Sequence, residues 1–263
     1  MSDRSTAPTT LALLGVSGVL ALAAPLAAKP KVERREVRVE VQPMTQGDRR
    51  RVQIDREVHA KWTKGRGSSD MRSTVNMSFE LSVAQLDSAS RVTAVRLRPL
   101  ASGNTPPDQL PPPQTFTRAQ ILGKPSHPAV LGKLLCDSPD GSGLSKLRGT
   151  LRPDEEVQLD EHLWSRLLGG GKVQRKRATY LGVEARTGLI VVELRYEHVD
   201  KDMPDEGFRA IVSWKGHLWI DPKGPRVRRA EAVAEVEVLE PAGEEGEGSG
   251  QGRMSYSCQP LDR

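Results

Sequence analysis

The chain has 263 residues, with 39 Lys and Arg against 34 Asp and Glu, and 37% hydrophobic residues beside 24 glycines. That composition describes an ordinary soluble domain with enough apolar residues for a core. The short basic clusters (RRR at 49–51, KVQRKR at 172–177, RVRR at 226–229) have no aromatics interleaved, and with only 4 Trp, 3 Tyr and 3 Phe the chain offers neither a nucleic-acid surface nor the aromatic girdles of a transmembrane β-barrel. Solvated strand faces explain these clusters, with an anionic envelope surface as the alternative partner.

Leu11 to Ala24 form an apolar run followed by PLAAKPK. This is the length of a signal-peptide core, with small residues for cleavage after Ala28 or Ala23. Residues 1–28 are therefore read as a signal peptide, and the mature chain as periplasmic or secreted and not membrane-spanning. The alternative is an uncleaved inner-membrane anchor, against which the run is short and ended by Pro25. In an oxidising compartment the two cysteines, Cys136 and Cys258, are a candidate disulfide.

Residues 29–100 read as an N-terminal antiparallel β block. REVRVEVQP alternates Val37, Val39 and Val41 with charge; RRVQIDREVHAKW carries Val52, Ile54, Val58, Ala60 and Trp62. VNMSFELSV sets Val75, Met77, Phe79, Leu81 and Val83 on one face, and SRVTAVRLRPL is a fourth strand. Period two means one buried and one wet face. TKGRGSSD, between the second and third runs, is expected as a flexible hairpin loop.

Residues 101–171 read as a connector. GNTPPDQLPPPQ is an extended or polyproline II segment, and HPAVLGKLLCD carries Val130, Leu131, Leu134 and Leu135 at helical spacing. Residues 155–168 allow two readings: a helix capped by Asp154, or an extended segment with Val157 and Leu159 alternating before Leu163 and Trp164.

Residues 172–240 read as a C-terminal β meander. RATYLGVEARTGLIVVELRYEHV is two strands around ARTG, with Ile190, Val192, Leu194 and Tyr196 sharing a face. GFRAIVSW, HLWIDP and RVRRAEAVAEVEVLE follow, the last with Ala230, Ala232, Ala234, Val236 and Val238 inward. Asp221-Pro-Lys-Gly224 suits a type I turn. A second turn is expected at Lys215-Gly216. With a two-residue loop there, Trp214 sits opposite His217 and Val212 opposite Trp219, and the aromatics share one face with Phe208. With three, Trp214 faces Leu218 and Val212 faces Ile220, while His217 and Trp219 turn to the other side. Local alternation favours the second. Phe208, Val212, Trp214, His217, Trp219 and Tyr196 are the candidate ligand-facing residues. Residues 241–263 read as a flexible acidic, Gly-rich tail.

LRPDEEVQLDEHLW, RATYLGVEARTGLIVVELR and GHLWIDPKGPRVRRAEAVAEVEV together resemble an uncharacterised family of secreted two-block β proteins. Pro153, Val157, Trp164, Gly216, Asp221 and Gly224 match its pattern. The family's Gly between Val157 and Trp164 is absent here, with Asp160 and Glu161 in that region, and the Val-to-Trp spacing is one residue longer. The resemblance covers the last third to half of the chain. It implies a fold broadly like periplasmic lipoprotein-carrier half-barrels and no catalytic residues, and it favours the extended reading of 155–164. The expected fold is therefore mainly β: two curved antiparallel meander sheets joined by a Pro-rich segment with one or two short helices.

Chemistry is sparse. The five histidines (59, 127, 162, 198, 217) show no metal spacing, and no serine-nucleophile signature or P-loop is present. Asp200, Asp202, Asp205 and Glu206 form a weak oxygen-ligand candidate that lacks EF-hand spacing. No cofactor is expected. The reading is a non-catalytic protein that binds or carries an apolar or amphipathic envelope ligand, with lipid, lipoprotein or another envelope protein as partner. The alternative is a structural or partner-binding envelope protein, and a hydrolase stands third.

Overall fold

A computed structural model describes residues 29–40, 44–64, 67–121, 144, 146–161, 163–164, 172–203, 208–224, 226–243 and 246–261. In chain order the strands are β1 (Val32–Glu33), β2 (Val37–Val39), β3 (Arg49–Lys64), β4 (Gly67–Leu86), β5 (Val92–Ser102), β6 (Gln114–Thr117), β7 (Gly149–Leu151), β8 (Lys172–Val173), β9 (Lys176–Glu184), β10 (Ile190–Met203), β11 (Phe208–Ile220), β12 (Val227–Gly243) and β13 (Gly246–Pro260). Helix among the described residues is short: a 3₁₀ turn, Pro107–Gln109, one α-helical turn, α1 (Arg118–Ile121), and a further turn around Leu163 and Trp164. No helix among the described residues is long and apolar enough to cross a membrane.

The mainly β, antiparallel class is as the alternation implies. The two expected meanders, β3 to β6 and β9 to β12, are halves of one open sheet in the order β1-β9-β10-β11-β12-β13-β3-β4-β5-β6, with β8 also on β10. It does not close into a barrel. A second, two-stranded sheet pairs β2 with β7.

The join is β13, and here the tail reading of 241–263 is corrected. β13 lies between β12 and β3, in register from Ala230↔Cys258 on one side and from Cys258↔Ile54 on the other. Its glycines suit a crowded sheet: a Cβ on Gly250 would stand 2.6 Å from the Trp62 ring. Beyond them Met254, Tyr256 and Cys258 alternate with polar residues, a period-two signal of a strand.

The Lys215-Gly216 turn is also corrected. β11 runs unbroken through it, because Gly216 marks a close approach of two strands. A Cβ there would meet the Glu231 carbonyl at 2.4 Å and the Ala232 Cβ at 2.7 Å. TKGRGSSD is likewise shorter as a loop than expected: the ladder continues to Lys64↔Gly67. The turn after Asp221 is present, with Lys223 N–H donating to its carboxylate at 3.0 Å.

The proline-dense connector is extended only in part: Pro106 and Leu110 have φ/ψ of −57/147° and −67/142°, and the 3₁₀ turn Pro107–Gln109 lies between them. The expected helix around 130–135, Cys136, Asp205 and Glu206 lie outside the described residues. Residues 155–160 are extended: Val157 N–H donates to the Ala178 carbonyl and Tyr180 N–H to that of Glu155. One helical turn follows, from the Asp160 carbonyl to the Leu163 and Trp164 amides.

The core lies on one face of the large sheet. Ile190, Val192, Leu194, Leu218, Ile220, Ala230, Ala234, Ile54 and Phe79 are buried there, and Ile121, Leu144, Leu147, Val157, Leu159, Leu163 and Trp164 join the same cluster from the connector. The apolar face of the large sheet is thus packed by the chain's own side chains.

Candidate functional site

Strand alternation assigns the six ligand-facing candidates to different faces. Tyr196 and Trp214 are direct partners across β10 and β11, and Val212 lies on the same face as Trp214. All three are buried in the core cluster, with the Tyr196 ring edge-on to Trp164 at 4.9 Å. Burial pushes the Tyr196 phenol well above its ordinary pKa. His217 and Trp219 occupy the opposite face. That is the partition expected for a three-residue loop, reached without any loop. Phe208 opens β11 opposite Met203.

The face carrying His217 is polar and organised by register. One cross-strand row runs Thr179, Glu193, His217, Glu231, Ser257, Asp55, Asn76. The next runs Arg195, Lys215, Val233, Ser255, Glu57, Thr74. Residues of both rows line a groove of about 790 Å³, as does Lys29. A smaller groove of about 480 Å³ continues from it toward β9, sharing Lys29, Glu193 and His217.

Two of its carboxylates are already neutralised. Arg195 donates to Glu193 at 2.9 and 3.0 Å, and Arg229 Nε to Glu231 at 2.7 Å. The Arg229 guanidinium also stacks 4.2 Å from the Trp219 ring, a cation–π contact. The Trp219 indole N–H donates to Glu184 at 3.0 Å, which fixes the ring. Asp55 accepts only from the neutral amides of Gln53 and Asn76. The side chains of Glu57, Lys215, Lys29 and His217 make no hydrogen bond or ion pair among the described residues. Desolvation lowers the pKa of His217, which favours the neutral ring, and the charges of Glu193 and Glu231 oppose it.

Elsewhere, Asp200 and Asp202 are ladder residues of β10, opposite Ile211 and Arg209, and no group of three or more metal-ligating side chains occurs among the described residues. Cys258 is buried, 1% exposed, in β13. The groove residues that sequence reasoning missed are Glu193, Glu231, Asp55, Glu57 and Lys215. Each reads singly as a solvated strand position, and only pairing places them side by side.

No family model matches the chain, and no curated protein matches it. Among solved structures it is similar to lipovitellin, in a structure describing lipid–protein interactions, with a TM-score of 0.32 and 11% identity over 82% of this chain. The match spans 25% of the lipovitellin chain.

Proposed function

We propose that the mature chain is a non-catalytic secreted or periplasmic binding protein whose polar sheet face takes an amphipathic ligand. The groove of about 790 Å³ carries this reading; it lies within the 300–1,000 Å³ typical of small-ligand sites. The core face is filled by Trp164, Leu163 and their neighbours, which moves the proposed site to the opposite face. In this reading Ser257 and His217, two strands apart with Glu231 between them, are not a catalytic pair. At about 4.8 Å per strand the backbones stand roughly 10 Å apart, so hydroxyl and imidazole form no nucleophile–base pair.

The compartment in this proposal rests on the apolar run at 11–24, and the proposal includes a Cys136–Cys258 disulfide tying β13 to the connector. Mass spectrometry of an organic extract from gently purified protein tests the ligand. A stoichiometric amphipathic molecule is expected. An empty extract, together with capture of an envelope protein, would instead establish the partner-binding alternative.

A further inference from the structure

On the polar face of the groove the charges without an ion pair are sorted by sign; Arg56, which also lines the groove, alternates onto the core phase of β3 with Ile54, opposite Tyr256. Asp55 and Glu57 lie at its β3 side. Lys215 lies at its β11 side, with Lys29 at that end, as its place in both grooves requires. Lys215 and Glu57 belong to one row, separated only by Val233 and Ser255. The paired ions, Glu193 with Arg195 and Glu231 with Arg229, add little net field. What remains is a trough with an anionic end and a cationic end, floored along the Lys215–Glu57 row by Val233 and Ser255.

The two ends are three strand spacings apart, about 14 Å. An extended chain advances 3.3–3.6 Å per residue, so about four residues span that distance. Resting on the amphipathic-ligand reading above, we propose that the groove selects a linear zwitterion, an extended peptide of about four residues with free termini. Its α-ammonium meets Asp55 and Glu57, and its α-carboxylate meets Lys215 and Lys29. A zwitterionic lipid headgroup holds its two charges a few bonds apart and cannot engage both ends. Val233 and Ser255 offer no side-chain charge to read, so the peptide's length and its two termini set the selection.

Isothermal titration calorimetry of the purified full chain at low salt tests this with tetra-alanine, its N-acetylated and C-amidated forms, and decylphosphocholine. Free tetra-alanine is expected to bind, with each cap weakening binding about tenfold, the effect of one lost charge contact. Lys215→Gln should weaken the free peptide by a similar factor and leave the C-amidated form unchanged. The double variant Asp55→Asn/Glu57→Gln should weaken the free peptide and leave the N-acetylated form unchanged. Unaltered thermal unfolding of each variant checks that the fold is intact. Equal binding of capped and free peptides, or no peptide binding while decylphosphocholine binds, overturns the peptide proposal and leaves the amphipathic-ligand reading standing. If no probe binds, both fall.

Discussion

His217 shows how one side chain can be legible as a feature and illegible as a role. The motif SWKGHLWIDP draws attention to it, but its surroundings (Glu193 on one side, Glu231 on the other, Trp219 at a ring distance of 5.8 Å) depend on pairing. Because burial depresses its pKa in the folded chain, the unfolded chain binds more protons between the two values. Its contribution to stability is therefore present above the ordinary histidine value of 6.5 and is lost as pH falls toward the lower folded value. Other ionising groups around it include Lys215, Arg195, Glu193 and Glu231. The stability difference between wild type and His217→Gln, from urea unfolding at pH 8 to 5, should shift toward the variant as pH falls. Parallel curves would remove the claim.

At the scale of the element, glycine is the ambiguous letter. Gly216 reads as a turn residue beside Lys215, yet it sits in mid-strand, where a Cβ would collide with β12. Gly216→Val should destabilise the fold by about 2 kcal/mol through overpacking, seen as a lower urea midpoint. Ala232→Gly in that background should recover only part of the loss. It relieves the 2.7 Å contact with the Ala232 Cβ and leaves the 2.4 Å contact with the Glu231 carbonyl. Full recovery would show that the backbone contact does not matter. By contrast, β10 was readable from its side chains alone: Ile190, Val192, Leu194 and Tyr196 share the core face because three β-branched or large apolar residues alternate before Tyr196 with no glycine or proline between them.

For the whole molecule, the consequential strand is β13. It pairs with β12 and β3 along nearly its full length and unites the two meanders in one sheet. Deleting residues 241–263 should abolish a single cooperative unfolding transition, measured by circular dichroism in urea; a tail would be removable without effect. The partners of β13 in β3 lie about 200 residues upstream, so joining the two meanders rests on contacts of high sequence separation.

The sequence by itself determined the mainly β antiparallel class and the buried phase of most strands, because a two-residue period and turn chemistry are local properties. It also carried the extended course of Val157 and Leu159, through their alternation. Tertiary structure alone decided that β13 is central, that β11 is unbroken, and that Asp55, Glu57, Lys215 and His217 share one groove. Those facts rest on which strands become neighbours and in what register. Register is set by long-range packing of the buried face, and a residue's own neighbours along the chain do not encode it.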